Sequence, residues 1–426
     1  MFSQKMKKRI GLFFIVQRSL RQHALSTLIT TLSIALGTGL VMAVIAIRAQ
    51  SVSAFTGGPI GFDAVLGARG SPLQLVLNTV FHLETSPGNI PWTMYRAVQN
   101  DPRVELAIPY ALGDNYYGYR IVGTTTALFT EFEYRKGVRF RTRGDGRFFD
   151  PNRQEAVLGN YAAQKLGLKV GDKFNPYHGL VFDESMRHDE QYIVVGVLEP
   201  TNSPSDRVIW IPIEGVYRLE GHVLRGSGEE YVPQPGQEIP DAHKEVSAVM
   251  LKFRNPQIGF MMDAMINKQG KVATLAWPIG AVMAGLFDKI GWMNQVLALV
   301  SYLVVLVAAG SILASIYNSI NERRREFAIL RSLGARRKTV FTVIVLEAAS
   351  IAALGVIIGF IVYGAIFASA SAIVRAQTGI VLDLLKFHPA FAIAPVCVIL
   401  LGMLAGIVPA FKAYQTDVAT NLTPMS

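Results

Sequence analysis

Four apolar stretches, at roughly residues 24–47, 293–318, 340–368 and 389–411, are each long enough to cross about 30 Å of hydrocarbon. Inside lipid every backbone N–H and C=O must find a partner, and a helix provides one within the same segment. The rest of the chain agrees with a membrane solvent. It is 51% hydrophobic and only 17% charged, where soluble domains carry about 25% charged residues. The fold expected is a membrane α-helical one with four transmembrane helices, and with a large α+β extracytoplasmic domain between the first and second.

Charge sets the topology. The net charge of +10 is concentrated at two places. Lys5, Lys7, Lys8, Arg9, Arg18 and Arg21 precede the first span. Arg323, Arg324, Arg325, Arg331, Arg336, Arg337 and Lys338 lie between the second and third. Short loops rich in Lys and Arg stay inside. Residues 48–292 and the short loop 369–388 are then outside, the tail 412–426 is inside, and both termini are cytoplasmic. No aromatic-interleaved basic stretch accompanies the charge, so nucleic acid is not an expected partner. Within residues 1–23, Ile10–Arg21 is apolar at one end and basic at the other, as for a helix lying on membrane lipid. The first apolar run is too long for a signal peptide core, and no small-residue cleavage site follows it, so it is read as retained. Cys397 is the single cysteine, so no disulfide forms within one chain.

Residues 48–292 suffice for a core of their own. Glu155–Asp172 reads as a strand, a short helix and a Gly-Asp turn; Gln191–Leu198 reads as a buried β-branched strand. Arg207–Ile213 is a further strand whose Pro212 suggests a sheet edge or a strand end. Residues 224–240, rich in Gly, Pro and Glu, read as a mobile loop, and residues 258–290 as helix returning to the membrane. The apolar, Gly-rich segment 61–78 has two readings, the packed base of this domain or the lining of a lateral gate. No internal repeat is evident.

Catalytic chemistry is sparse. No G-x-x-x-x-G-K-[ST] occurs, and Gly67-Ala-Arg-Gly-Ser71 lacks the lysine and the spacing, so no phosphate-cradling loop is present to hydrolyse ATP. No Ser/His/Asp or Cys/His arrangement emerges from spacing. His178, Asp183, Glu184, Met186, His188, Asp189 and Glu190 are ligand-type side chains, yet their spacing fits no zinc pattern. That run is expected to be a solvated hairpin loop, and no metal is assigned there, to His82 with Glu84, or to His222 with Glu229 and Glu230. Glu347 is the exceptional charge inside a span; a structural partner on another helix is the preferred reading. Ser26, Thr30, Ser33 and Gly37 lie at helical spacing and permit close packing, either within the chain or between two copies.

Together these features resemble the FtsX/MacB-like (type VII) ABC transporter permease family. Asn321-Glu-Arg-Arg-Arg-Glu-Phe-Ala-Ile-Leu-Arg-Ser-Leu-Gly-Ala335 is similar to the family's inner loop. Val408–Leu422 is similar to its terminal motif, with Val418 in place of the usual proline. Val157–Pro212 resembles its MacB-like periplasmic core domain, and Arg18–Thr38 its basic helix and first span. The resemblance implies that residues 319–339 form a cytoplasmic coupling helix docked in a groove of a separate ABC ATPase, which would hold the ATP and Mg. Phe327, Leu330 and Leu333 supply apolar anchors. Glu322, Arg323, Arg324, Glu326 and Arg331 supply charge, and Gly334 a C-cap. It also implies a permease homodimer in a bacterial cytoplasmic (inner) membrane, with a periplasmic adaptor or carrier as a further partner. The function implied is a non-catalytic subunit whose outer domain extrudes or hands over a lipophilic or amphiphilic substrate: a lipoprotein, lipid, peptide, drug or haem-like compound. The alternative is an FtsX-like transmitter that regulates a periplasmic enzyme without transport. A membrane enzyme is the third reading, disfavoured by the missing catalytic groups.

Overall fold

The computed structural model describes residues 2–57, 60–220, 222–234, 236–332 and 334–415. It separates into two compact units. One comprises residues 1–50, 290–371 and 383–426, and the other residues 51–289 and 372–382. The chain opens with α1 (Phe2–Gln22) and α2 (Ala24–Gly57). Helix α2 outlasts the apolar run that predicted it. Its last turns belong to the second unit, where Phe55 packs its ring on Phe81.

The second unit is built on a ten-stranded mixed sheet. Its strands are β1 (Ala64–Ala68), β2 (Val104–Tyr116), β3 (Tyr119–Thr124), β4 (Glu155–Leu158) and β5 (Lys173–Phe174). They continue with β6 (Tyr177–His178), β7 (Tyr192–Val197), β8 (Ile209–Pro212), β9 (Ala248–Phe253) and β10 (Ala273–Ala276). The order is β10–β1–β9–β2–β3–β8–β4–β7–β5, with β6 paired to β2. Both faces are covered, and the period-2 alternation of side chains sorts each strand between two cores. Ile209 and Ile211 point to one, Trp210 to the other; Leu66 and Val65 divide the same way. The first core is covered by α4 (Trp92–Gln99), α5 (Asn160–Leu166), α6 (Ile213–Tyr217) and α7 (Pro256–Asp263). The second is covered by α3 (Pro72–Thr79) and α8 (Ile279–Lys289). Local chemistry sets the helix ends. Asn255 caps α7 through its side-chain oxygen with Pro256 at the first position, and α5 stops at Gly167, whose φ is +71°.

Two open readings resolve here and one expectation changes. Residues 61–78 contribute β1, buried between β9 and β10, so they form the packed core rather than a gate lining. Pro212 ends β8, but that strand is internal, between β3 and β4. Residues 258–290 are not one helix: β10 intervenes, because Ala273–Ala276 completes the sheet beside β1.

The membrane unit continues with α9 (Gly291–Glu322), α10 (Arg324–Ser332), α11 (Arg337–Thr378) and α12 (Ala390–Gln415). Helices α2, α9, α11 and α12 are each long and apolar enough to cross a membrane. Glycine permits their closest approaches. A Cβ on Gly39 would lie 2.7 Å from Val362, and one on Gly355 2.6 Å from Ile34, so α2 and α11 meet backbone to side chain. Two of the small residues singled out in the first span are engaged within the chain. Gly37 packs on Val304 and Val305 of α9, and the Ser26 and Ser315 hydroxyls lie 2.9 Å apart.

Candidate functional site

Helix α10 occupies the basic stretch between the second and third spans, and the structure divides its residues between two faces. Phe327 is buried in the core of the membrane unit, and Ala328 next to it is buried as well. Arg325, Glu326, Ile329 and Leu330 share the opposite, open face, Ile329 being 44% exposed. Phe327 was expected as an outward anchor; it packs inward instead, where removal from water stabilises the unit. Ile329 and Arg325 take the open positions. The sequence signal for them was the helical period itself, since i, i+1, i+4 and i+5 fall on one face. The turn after α10 closes where Ala335 N donates to Leu330 O, with Gly334 at φ +96°. Arg324 is the first residue of α10, and Arg331 lies in its last turn. Leu333 and the Arg324 side chain lie outside the described residues.

Arg323 does not face outward either. It sits between α9 and α10, 6% exposed, and its Nη1 donates to Ser19 Oγ at 2.6 Å and to Glu347 Oε2 at 3.4 Å. Ser19 Oγ in turn donates to Glu347 Oε1 at 2.6 Å. Arg323 Nε reaches Glu326 at 3.1 Å, and its guanidinium lies 5.0 Å from the Phe327 ring centroid. The intramembrane carboxylate thus has partners on two other elements. Glu322 ends α9 exposed, 3.2 Å from His23.

At its far end α11 enters the α/β unit. Residues 372–382 belong to that unit, so the predicted loop 369–388 is helical as far as Thr378. Arg375 stacks 5.2 Å from the Tyr161 centroid, the Arg207 guanidinium donates to Gln377 O, and Ile380 is buried in the second core. Asn202 Nδ2 donates to Val381 O at 3.3 Å.

Within the α/β unit four ligand-type side chains converge. The expected solvated run contributes His178 and His188, His222 comes from the loop after α6, and Asp114 from β2. His188 is buried, which corrects its reading as solvated. Asp114 carried no sequence signal, because its partners arrive by sheet pairing and not by spacing. Burial alone would raise the Asp114 carboxyl; hydrogen bonds from the three imidazoles outweigh it and hold the group well below the usual carboxylate range. His82, Glu84, Glu229 and Glu230 lie outside this cluster.

Comparison with known proteins agrees with this architecture. The model for the FtsX-like permease C-terminal region matches residues 298–418, and the model for the MacB-like periplasmic core domain matches residues 27–254. The pyoverdine export ATP-binding/permease protein PvdT of Pseudomonas syringae pv. tomato is 24% identical over 63% of this chain and 37% of its own length. The macrolide export ATP-binding/permease protein MacB of Bordetella avium is 22% identical over 95% of this chain and 58% of its own length. The chain therefore spans well under two thirds of the curated relatives it matches. The periplasmic region of MacB from Actinobacillus actinomycetemcomitans aligns with 54% of this chain and 94% of that one, at 10% identity and a TM-score of 0.33.

Proposed function

Because the chain belongs to the FtsX/MacB-like ABC transporter permease family, we propose that it is the membrane subunit of an exporter driven by an ATPase carried on another chain. Helix α10 is the docking element. The observation that carries this reading is its division into two faces, one anchored inward by Phe327 and the other presenting Glu326, Ile329 and Leu330, with Arg323 buried just before its first residue. An exposed amphipathic helix with apolar residues flanked by charge suits a groove. Both termini and α10 are cytoplasmic in this reading, following the basic clusters. The ATP and Mg belong to the partner, and two permeases and two ATPases form the working complex.

Helix α11 is the relay. Its 42 residues start five positions beyond the end of α10. At 1.5 Å per residue it is about 63 Å long, and its last residues are integral to the α/β unit. Displacement of α10 by ATP binding would pass along this helix to the outer domain, which would propel or hand over a lipophilic or amphiphilic substrate. The relatives named for pyoverdine export and macrolide export support export as the direction.

The test is co-purification from membranes with the partner ABC ATPase. Leu330→Asp should abolish co-purification while the permease itself remains in the membrane and elutes as the wild type does. Full retention of the ATPase by that variant, with unchanged ATP hydrolysis, would reduce α10 to a signal for topology.

A further inference from the structure

The four side chains gathered in the α/β unit have a geometry that hydrogen bonding alone explains poorly. Asp114 Oδ1 lies 3.1 Å from His222 Nε2, 3.3 Å from His188 Nε2 and 3.5 Å from His178 Nδ1. His178 Nδ1 and His222 Nε2 are 3.2 Å apart. All four atoms lie within 4.8 Å of one another. Three imidazoles therefore crowd one carboxylate oxygen, while Asp114 Oδ2 is buried with no hydrogen-bond partner among the described residues. A tetrahedron with ligands about 2.0–2.1 Å from its centre has edges of about 3.3–3.4 Å, the geometry of three nitrogens and one oxygen on zinc. Four of the six edges here fall at 3.1–3.5 Å.

The scaffold holds these atoms in place from several sides. Asp114 pairs with His178 in the β2–β6 ladder, next to an irregularity in the β2–β3 register that re-aims the strand. Asn115 Nδ2 donates to the carbonyls of Gly179 and Val181, at 2.9 and 3.3 Å, fixing the chain after His178. Asn175 Nδ2 donates to the carbonyls of His188, Asp189 and Glu190 at 3.0–3.2 Å, fixing the approach of His188. Glu190 accepts from Glu220 N at 2.9 Å and ties the loop after α6 to the 178–190 segment. A cleft of about 220 Å³ reaches His178 and His222, so an ion has a path in.

We propose that Asp114, His178, His188 and His222 form a tetrahedral site for a divalent transition metal of the zinc class. Four protein ligands close the coordination sphere, which marks the site as structural and not catalytic. The ion would clamp β2, the 178–190 segment and the loop after α6 to one point of the outer unit.

The test uses the full-length chain in detergent, with its affinity tag removed and its metal stripped by chelator. Titration with Zn²⁺ alone should show one equivalent per chain. Titration with Co²⁺ alone should give the intense visible absorption of tetrahedral nitrogen and oxygen ligation. His178→Ala and His222→Ala, at the more exposed side of the cluster, should each weaken Zn²⁺ binding by more than about a hundredfold. Both should unfold in chelator at the same temperature as chelated wild type. Absence of stoichiometric uptake by the wild type, an octahedral Co²⁺ spectrum, or binding unchanged in both variants would overturn the site. The Co²⁺ spectrum of the wild type decides the matter without any variant.

Discussion

At the scale of single residues, Arg323 illustrates how position on a helix end decides the role of a charge. Its guanidinium is taken from solvent only because Ser19, Glu326 and Glu347 meet its donors. Breaking such a buried pair from one side leaves the other charge uncompensated, at about 3–5 kcal/mol. Arg323→Ala should therefore lower the unfolding temperature of the detergent-solubilised chain more than Arg323→Ala combined with Glu347→Ala does. Equal losses in the two would show that the pair contributes little. A second residue gives a pH prediction. His82 is buried against Trp210, and burial first, then Arg120 and Arg207, lower its pKa from 6.5 to about 3. The folded state thus favours neutral imidazole, and stability present above pH 6.5 is lost as the pH falls towards 3, by at most about 1.4 kcal/mol per unit. His82→Asn tolerates the left-handed backbone at φ +56° and does not titrate. Its unfolding temperature should fall less steeply with acidification than that of the wild type, whatever its starting value.

At the scale of elements, the helix crossings depend on glycine unequally. A Cβ at Gly355 would meet Ile34 at 2.6 Å, whereas one at Gly310 would meet nothing within 4 Å. Gly355→Ala should destabilise by about 1–3 kcal/mol through overpacking, and Gly310→Ala should be near neutral or slightly stabilising. Unfolding temperatures and membrane yield of the two variants compare these crossings directly. The elements also show how much was legible beforehand. The spans were plain because lipid imposes a length and a composition on helices. Strands β4, β7 and β8 were plain because buried β-branched runs bounded by turn residues have few other fates. Strand β1 was not, because Ala64-Val-Leu-Gly-Ala68 is short and small, and only pairing with β9 and β10 makes it a strand. The exposed face of α10 was half legible: Glu326 and Leu330 follow the period, but the inward turn of Phe327 depends on packing in the membrane unit.

At the scale of the whole molecule, the metal-type cluster was beyond sequence reasoning for the same reason. Residues 114, 178, 188 and 222 share no spacing; a ladder and two loops bring them together. The four apolar helices and the α/β unit between the first and second were readable beforehand, because they rest on hydropathy and length. The reach of α11 could not be read that way, since its apolar pattern ends before Arg375 and Gln377 make their contacts in the α/β unit.

The Arg323–Ser19–Glu347 contact also bears on how the protein is made. A lone charge at the centre of a bilayer costs about 2.5–3.5 kcal/mol on insertion scales. Chains emerge from the ribosome N-terminal end first, and both partners of Glu347 precede it in the chain: Ser19 by 328 residues and Arg323 by 24. When the third span is handed to the membrane, the hydroxyl and the guanidinium have already been synthesised. The carboxylate can then be neutralised as it enters. Ser19 and Arg323 are thus available as partners for Glu347 from the moment the third span is made.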